Sequence, residues 1–391
     1  MRIDAVDFFY YAMPEILDVG DGSQDLLLVR VQAGEWVGWG ECEASPLVSI
    51  ASLVAPMSHS ACKPVRDSVL GQQLYGPEDI LRIGTLVREQ SLDQLQADHT
   101  YSGIDMAMWD LLGQQRGEPV WRLLGFTEAH PKLPYASVLF GETPAETEAK
   151  ARAIRADGYR AAKFGWMHYG RGTVAEDAAH VEAARSGLGP DGMVLIDAGT
   201  VWGDDLAAAR ERLPALIAAG VTWLEEPFVG GAVDAYAALA RESGPVKIAG
   251  GEGAHTFWMA KHLIDHGGIG YVQIDAGRIG GITQAKRVAD HARERGCTYV
   301  NHTFTSHLAL SASLQPFAGH AEDLICEYPL EARDLAVRLT RNHLRPDADG
   351  LLHLPDGPGL GMQLDLDAVA PYLVDVEIRV KGKTLYRTPQ R

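Results

Sequence analysis

The chain has 391 residues, of which 46% are hydrophobic and 22% are charged, and its formal net charge is −17. This length suits a barrel of roughly 250 residues with a smaller domain beside it, and the composition is ordinary for a soluble globular protein. The negative charge argues against a nucleic-acid partner, which would call for a basic face. It also means that an anionic substrate needs a locally positive site, such as a metal ion or a lysine.

The cysteines and the N-terminal residues bear on the cellular compartment. Four cysteines show no metal-type spacing, and residues 1–15 lack the uninterrupted apolar segment of a signal peptide. The sequence contains no run of about 18 apolar residues. We therefore expect a reduced cytoplasmic protein without membrane-spanning segments.

Residues 1–130 are predicted to form an α+β domain. Residues 25–31 and 36–41 have the pattern of the two strands of a hairpin. Residues 102–115 have a helical pattern with an apolar face that contains Ile104, Met108, Leu111 and Leu112.

Residues 131–340 alternate short β-rich segments with amphipathic helical patterns. The strand candidates are residues 135–140, 161–166, 193–197, 221–225, 247–249, 271–275, 299–302 and 324–327. The helical patterns between them include residues 144–156, 175–185, 205–218, 256–266, 282–295 and 307–317. Eight strands with helical crossovers predict a parallel barrel, because an open doubly wound sheet usually has fewer strands and a glycine-rich phosphate loop.

Residues 341–391 break this alternation. They are rich in proline, glycine and aspartate, and they contain a strand-like segment, residues 374–380. We expect this tail to return to the N-terminal domain.

Chemically reactive side chains recur at the predicted carboxyl ends of the barrel strands, which form the catalytic face of such barrels. They follow one another at intervals of about one βα unit, so they should converge on one mouth. In chain order they are Lys163, Asp197, Glu225, Glu252, Asp275, His302 and Glu327.

Three of these acids, Asp197, Glu225 and Glu252, form a candidate all-oxygen metal site. Such a set suits hard divalent cations, Mg²⁺ especially, whereas zinc favours His or Cys ligands. The alternative is that these acids only bond to helix N-termini or to lysines. Unpaired carboxylates repel one another, and a bound cation would resolve that repulsion.

The remaining strand-end residues suggest proton transfer. Asp275 could fix the tautomer of His302 and leave the other imidazole nitrogen as a general base, or it could instead cap the helix after Gly277. Lys163 could bind a substrate carboxylate, form a salt bridge to a metal-ligand acid, or do both. Glu327 could donate to an enolate oxygen when protonated, or it could be an ordinary buried acid.

Several longer motifs join these residues, and the sequence resembles the enolase superfamily and, within it, the mandelate racemase subgroup. The resemblance covers nearly the whole chain. Its motifs are GWGE (residues 38–41), residues 102–125, the Asp/Glu/Glu series in LIDAG, WLEEP and AGGE, IDAGRIGG (residues 274–281), His302 and LPDGPGLG (residues 354–361).

The resemblance implies a (β/α)₇β TIM-like barrel with an N-terminal α+β capping domain, and we expect the C-terminal tail to complete that domain. It implies Mg²⁺ bound by the three acids named above, and a substrate carboxylate bound by the metal and Lys163. The Asp275–His302 pair would then act as base or acid, and Glu327 would bond to the enolate. Relatives are often dimers or octamers, so we expect a homo-oligomer with a small-molecule carboxylate as substrate.

The sequence departs from the family pattern at two positions. Many relatives end the second strand with Lys-x-Lys, but Gly165 stands where the second lysine, a base on the opposite face, would be. His168 in the next loop is the alternative second base. Gly199 stands where relatives often carry Asn after the Asp ligand.

A single histidine suffices for a dehydratase, which takes the α-proton of an acid sugar and returns it to the departing hydroxyl. We therefore expect a hydro-lyase, and an epimerase or racemase, a lactone cycloisomerase and a metal-binding pseudoenzyme are the alternatives. Specificity is expected to come from loops at residues 15–22 and 45–58, with Trp166 and Tyr135 near the barrel mouth. The sequence does not select one acid sugar.

Overall fold

The fold is described from a computed structural model that covers residues 1–18, 20, 24–43 and 45–390. The strands are β1 (Ala5–Tyr11), β2 (Leu26–Ala33), β3 (Trp36–Cys42), β4 (Leu133–Leu139), β5 (Ala161–Gly165), β6 (Met193–Asp197), β7 (Trp223–Glu225), β8 (Lys247–Gly250), β9 (Tyr271–Asp275), β10 (Thr298–His302), β11 (Ile325–Pro329), β12 (Glu377–Val380) and β13 (Lys383–Arg387). The helices are α1 (Pro46–Val54), α2 (Val65–Val69), α3 (Pro77–Gln90), α4 (Ala97–Arg116), α5 (Val120–Leu123), α6 (Pro144–Ala156), α7 (Val174–Leu188), α8 (Leu206–Ala218), α9 (Val233–Glu242), α10 (Phe257–His266), α11 (Ile282–Arg295), α12 (His307–Leu314), α13 (Asp334–Arg338) and α14 (Leu366–Val369).

Strands β4 to β11 form one parallel, nearly closed barrel. Their order is β10-β9-β8-β7-β6-β5-β4-β11, and α6 to α12 follow β4 to β10 one by one. The predicted (β/α)₇β barrel is therefore confirmed, and each of its strands lies within two residues of its predicted bounds. Helix α9 was not among the helical patterns named from the sequence.

The barrel helices begin where the sequence supplies caps for their free N–H groups. The Thr143 hydroxyl accepts a hydrogen bond from the Glu146 amide at the start of α6, and Pro144 occupies its first turn. Helix α7 starts with a reciprocal capping box between Thr173 and Glu176. These caps fix where each crossover leaves the barrel mouth.

One layer of inward side chains fills the barrel below its mouth. The layer consists of Tyr135, Ala161, Leu195, Trp223, Ala249, Val300 and Ile325. Tyr135 is fully buried, with its ring 5.5 Å from that of Trp223 and 5.7 Å from Nζ of Lys163 at the mouth. In the register of β4 with β11, Tyr135 pairs with Glu327.

The ends of the barrel sheet meet between β10 and β11 through a side chain. Oδ1 of Asn301 accepts the Glu327 amide at 2.9 Å, and Nδ2 of Asn301 donates to the Glu327 carbonyl at 3.4 Å. One amide side chain thus satisfies both backbone groups of Glu327 at the seam of the barrel.

The capping domain packs the antiparallel sheet β1-β2-β3 against α4. The predicted hairpin is present, and α4 extends the predicted helix at both ends. A Cβ at Gly38 would lie 2.0 Å from the Ala107 carbonyl, so glycine is required where β3 touches α4. Strand β1 was not predicted from the sequence.

The C-terminal tail returns to this domain. The Val374 amide donates to the Tyr10 carbonyl at 2.8 Å, and the Tyr386 hydroxyl donates to the Phe8 carbonyl at 2.5 Å. The predicted terminal strand is a hairpin of β12 and β13. The division at residues 130 and 340 stays a prediction. Among the described helices, none has the length and apolar character needed to cross a membrane.

Candidate active site

The reactive residues predicted from the sequence all lie at the carboxyl ends of the barrel strands or just beyond them. Each of the seven side chains belongs to a residue that is at most 8% exposed. Strand pairing places Gly165 beside Asp197, Asp197 beside Glu225, and Asp275 beside His302. Parallel register therefore assembles one buried, strongly charged mouth.

Asp275 and His302 form the predicted pair. Nδ1 of His302 lies 2.7 Å from Oδ2 of Asp275, while Oδ1 of Asp275 accepts the Gly277 amide at 2.6 Å. The capping alternative is wrong, because α11 begins at Ile282 with Gly281 as its N-cap and has no side-chain cap. The Asp275 carboxylate instead orients the ring and also fixes the loop at Gly277. Although burial opposes it, bonding to His302 lowers the pKa of Asp275. Burial likewise favours a neutral ring, but Glu252 and Glu327 raise the pKa of His302 well above its ordinary value.

Lys163 lies among three carboxylates. Its Nζ is 2.5 Å from Oε1 of Glu225, 2.9 Å from Oε1 of Glu327 and 3.6 Å from Oδ2 of Asp197. Although burial opposes it, Glu225 and Glu327 raise the pKa of Lys163 well above its ordinary value. The salt-bridge alternative for Lys163 is therefore present in this structure.

A further mouth acid, Glu226, was not assigned a role from the sequence. It is 7% exposed, and its backbone is left-handed, with φ of 38°. This conformation is uncommon for residues other than glycine, so the sequence does not predict it. Burial and then Asp197 raise its pKa. Burial also raises the pKa of Glu225, to about 8, and that of Glu252. Each of these acids is thus disfavoured as a carboxylate in the absence of additional positive charge.

The three predicted metal ligands do not surround one point in this structure. Within the described ranges, no group of three His, Cys, Asp or Glu side chains is arranged to hold a metal ion. Asp197 and Glu225 face Lys163, while Oε2 of Glu252 lies 3.1 Å from Nε2 of His302. The donor chemistry nevertheless fits Mg²⁺, because buried carboxylates share one mouth and compete for a few cationic side chains.

The space between these side chains is small. A cavity of about 20 Å³ is lined by Ser137, Val138, Leu139, Lys163, Gly165, Trp166, Asp197, Glu252, His302 and Phe304. Pockets for small ligands usually measure several hundred Å³. An acid sugar therefore requires side chains or loops at the mouth to move.

The two departures from the family pattern have different neighbours, Trp166 at Gly199 and Asp197 at Gly165. A Cβ at Gly199 would lie 3.2 Å from the Trp166 indole, and Gly199 itself has a φ of 53°. A Cβ at Gly165 would lie 2.9 Å from Cβ of Asp197. Trp166 and Met167 both have left-handed backbones, with φ of 60° and 54°. The indole thus lies where a side chain at residue 199 would otherwise project.

His168, the alternative second base, lies outside the mouth cavity. Its Nε2 is 2.9 Å from Oε2 of Glu142, and its side chain is 67% exposed. It lines a separate groove with Arg171 and His180. Of the two predicted specificity loops, residues 19, 21 and 22 of the first lie outside the described residues, and the second contains α1.

A barrel of this topology, with a capping domain and acids on consecutive strand ends, defines a class of enzymes, and family models match it. Residues 146–368 match the model "Enolase C-terminal domain-like", and residues 18–125 match "Mandelate racemase / muconate lactonizing enzyme, N-terminal domain". The chain belongs to the enolase superfamily, in its mandelate racemase subgroup.

Individual proteins resemble the chain over most of its length. A crystal structure of a predicted mandelate racemase from Rhodobacter sphaeroides is 61% identical, covers 100% of both chains and has a TM-score of 0.95. D-galactarolactone cycloisomerase from Agrobacterium fabrum is 28% identical over 88% of this chain and 90% of its own. L-talarate/galactarate dehydratase from Salmonella typhimurium is 29% identical over 79% of this chain and 74% of its own.

Proposed function

We propose that this enzyme uses Mg²⁺ to remove the proton next to the carboxylate of an acid sugar and then expels water from the neighbouring carbon. The observation that carries the proposal is the His302–Asp275 pair. One imidazole nitrogen is held by a carboxylate, and the other, Nε2, lies 3.1 Å from Oε2 of Glu252, in a residue that lines the mouth cavity together with Lys163. This is the arrangement that a general base requires.

Mg²⁺ would be held by Asp197, Glu225 and Glu252. When bound, the ion supplies positive charge for the enolate oxygens that form as the proton leaves. The support is the donor chemistry of the buried acids and the membership of a superfamily whose members bind Mg²⁺. Their side chains must turn away from Lys163 and His302 to share one centre.

Lys163 would then be released from the acids and donate to one substrate carboxylate oxygen. His302 takes the α-proton at Nε2 while Asp275 holds the Nδ1–H and stabilises the imidazolium. Glu327, when protonated, would donate to the far enolate oxygen. His302 finally returns its proton to the β-hydroxyl, which leaves as water.

The absence of a side chain at Gly165 favours the dehydratase over a two-base racemase. The face that carries the second lysine in many relatives has no Cβ here, and the mouth side of Gly165 is close to Asp197. His168 is turned to Glu142 at the outer groove. A single base can support elimination, because the same imidazole serves both proton transfers.

A lactone cycloisomerase is the second candidate. It is favoured by the likeness to D-galactarolactone cycloisomerase over 364 residues. Its reaction shares the α-proton abstraction but breaks or forms a ring carbon–oxygen bond instead of releasing water. An epimerase and a pseudoenzyme remain as outcomes of the test.

The test is α-deuterium exchange in D₂O with Mg²⁺ across a library of acid sugars and their lactones, with products identified by mass and NMR. A 2-keto-3-deoxy acid formed with loss of water supports the dehydratase. An opened or closed lactone of equal mass supports the cycloisomerase, and an inverted acid supports the epimerase. No exchange with any member would overturn the proposal in favour of a pseudoenzyme. The homo-oligomer and the cytoplasmic location stay predictions.

A further inference from the structure

A small internal cavity lies behind the catalytic pair, at the junction with the capping domain. It measures about 10 Å³, and the residues that line it include Glu41, Asp275, His302 and Thr305. It is separate from the mouth cavity, although His302 borders both. Glu41 ends the GWGE motif in β3, and the catalytic steps above give that residue no role.

Two buried polar atoms at this cavity make no hydrogen bond of normal geometry among the described residues, although their side chains lie close enough for Thr305 to lower the pKa of Glu41. They are Oε1 of Glu41, a residue that is 1% exposed, and Oγ1 of Thr305, which is 5% exposed. The other Glu41 oxygen accepts a hydrogen bond from the Ser306 hydroxyl. A buried polar atom without a partner costs about 1–3 kcal/mol, so two in one place call for a ligand.

The size and lining of the cavity select that ligand. A volume of roughly 10–15 Å³ holds one water molecule, which needs two to four polar partners. Glu41 and Thr305 supply two, and Asp275 borders the same space. An organic ligand or a hydrated ion is too large.

The charge state of Glu41 suits the same ligand. Burial raises the pKa of Glu41 to about 7, Asp275 adds to this effect, and Ser306 and Thr305 oppose it. At neutral pH a substantial fraction of Glu41 therefore carries a proton that it can donate. A water in the cavity could accept from Glu41 and Thr305 and donate to Asp275.

We propose that one ordered water joins Glu41 and Thr305 to Asp275, and that Glu41 is a positioning residue through which the capping domain tunes the catalytic pair. A donor on Asp275 draws charge from its carboxylate, so the His302 Nδ1–H is held less strongly. The water site stands on geometry alone, and its catalytic consequence rests on the proposed function.

Three variants distinguish a bridging water from a purely structural clamp, meaning a Glu41–Ser306 hydrogen bond that only holds the capping domain against the barrel. Thr305→Val removes the hydroxyl and keeps the shape, and Glu41→Met replaces the buried carboxyl by a side chain of similar length. Ser306→Ala is the control for structural effects, because it removes the Glu41–Ser306 bond and the N-cap of α12 and leaves Glu41 Oε1 and Thr305 Oγ1 in place.

The first readout is a high-resolution crystal structure. We expect one water peak within hydrogen-bond distance of Glu41 Oε1 and Thr305 Oγ1 in the wild type and in Ser306→Ala, and no peak in Thr305→Val. A wild-type cavity without density would overturn the proposal. If Glu41→Met does not fold, Thr305→Val still decides.

The second readout is the low-field proton resonance of His302 Nδ1–H, assigned by its loss in His302→Asn. We expect it to move downfield in Thr305→Val and Glu41→Met and to stay in place in Ser306→Ala. Equal spectra for Thr305→Val and the wild type would mean that Glu41 does not influence the His302–Asp275 pair through a water. Neither readout needs a substrate, so both still decide the water site if no acid sugar exchanges.

On an acid that the wild type converts, kcat should fall roughly tenfold in both variants with KM unchanged, which is less than the roughly 10²- to 10⁴-fold that a group transferring the proton itself contributes. A change confined to KM, or an equal fall in Ser306→Ala, would assign Glu41 to the structural clamp.

Discussion

Lys163 is the cationic side chain that three mouth carboxylates face. Removing one partner from a buried ion pair usually costs about 3–5 kcal/mol, because the remaining charge stays buried without compensation. Here the loss would leave Glu225, Glu327 and Asp197 facing one another. A divalent cation could replace this compensation, which makes stability a probe of the metal site.

Lys163→Met is therefore expected to lower the free energy of unfolding by about 3–5 kcal/mol in EDTA. Mg²⁺ should recover a larger part of the stability in this variant than in the wild type, because it binds the native state alone. Urea unfolding with and without Mg²⁺ measures both effects. Lys150→Met is the control, since its half-exposed pair with Glu331 is worth about 1 kcal/mol or less. Equal losses in the two variants would contradict the role of Lys163.

The adjacent acids Glu225 and Glu226 allow a matched test of ligand assignment. Both are buried, and both have raised pKa values, chiefly because of that burial. Glu225→Gln is expected to abolish Mg²⁺ binding in isothermal titration calorimetry, and Glu226→Gln is expected to retain it. The reverse result would show that Glu226, and not Glu225, is the metal ligand.

At the scale of the elements, Asn301 joins the two ends of the barrel sheet. Its amide bridges the Glu327 backbone and also donates to the Ser313 hydroxyl at 3.0 Å. Asn301→Ala leaves these buried groups unpaired, and each costs about 1–3 kcal/mol.

We expect Asn301→Ala to lose roughly 3 kcal/mol of unfolding free energy, measured by urea titration. Asn342 is the matched control. It bridges two backbone groups in the same way, at 2.8 Å to the Gly361 carbonyl and 2.7 Å from the Gln363 amide, but at the surface. Equal losses of unfolding free energy in Asn301→Ala and Asn342→Ala would mean that closing the barrel between β10 and β11 does not add to stability.

The contact between α4 and α11 makes a pH-dependent contribution to the free energy of unfolding. Asp105 in α4 accepts the Thr283 amide at 3.0 Å, and burial raises its pKa to about 7, although bonds from Thr283 lower it. Its pKa in the unfolded chain is about 3.9, so between pH 4 and 7 the native state binds more protons. Stability therefore falls as pH rises through this window.

The Asp105→Asn variant lacks this pH-dependent contribution, because its amide does not titrate. Its stability relative to the wild type is expected to rise by as much as roughly 4 kcal/mol between pH 4 and pH 8, at about 1.4 kcal/mol for each pKa unit. Thermal or urea unfolding across this range measures the difference, with Asp334→Asn at an exposed ion pair as control. A difference that stays constant with pH would refute the raised pKa of Asp105.

For the whole molecule, the barrel could be predicted because alternating strands and helices leave a periodic trace and parallel strands end on one face. The seven reactive residues follow from that geometry. Pairings at the mouth could not be predicted, since strand order does not tell which acid Lys163 will face. The inclusion of Glu226 in the mouth depends on a left-handed backbone at that residue.

The contacts around the barrel mouth and at its junction with the capping domain were the least predictable part of the structure. Gly165 and Gly199 stand out in the sequence only as missing side chains, whereas the structure places Asp197 against Gly165 and the Trp166 indole against Gly199. The link from the capping domain to the catalytic pair through Glu41 needs the folded junction of β3 with the loop before α12. Contacts between distant segments decide both features.

The central claim is that His302 removes hydrogen from carbon. It is tested most directly by following deuterium entry at the carbon next to the carboxylate, in D₂O with Mg²⁺, for the wild type and His302→Asn on the same acid sugar. We predict exchange by the wild type and a rate lower by roughly 10²- to 10⁴-fold in the variant, with Mg²⁺ binding retained. Exchange by His302→Asn at the wild-type rate would contradict the account.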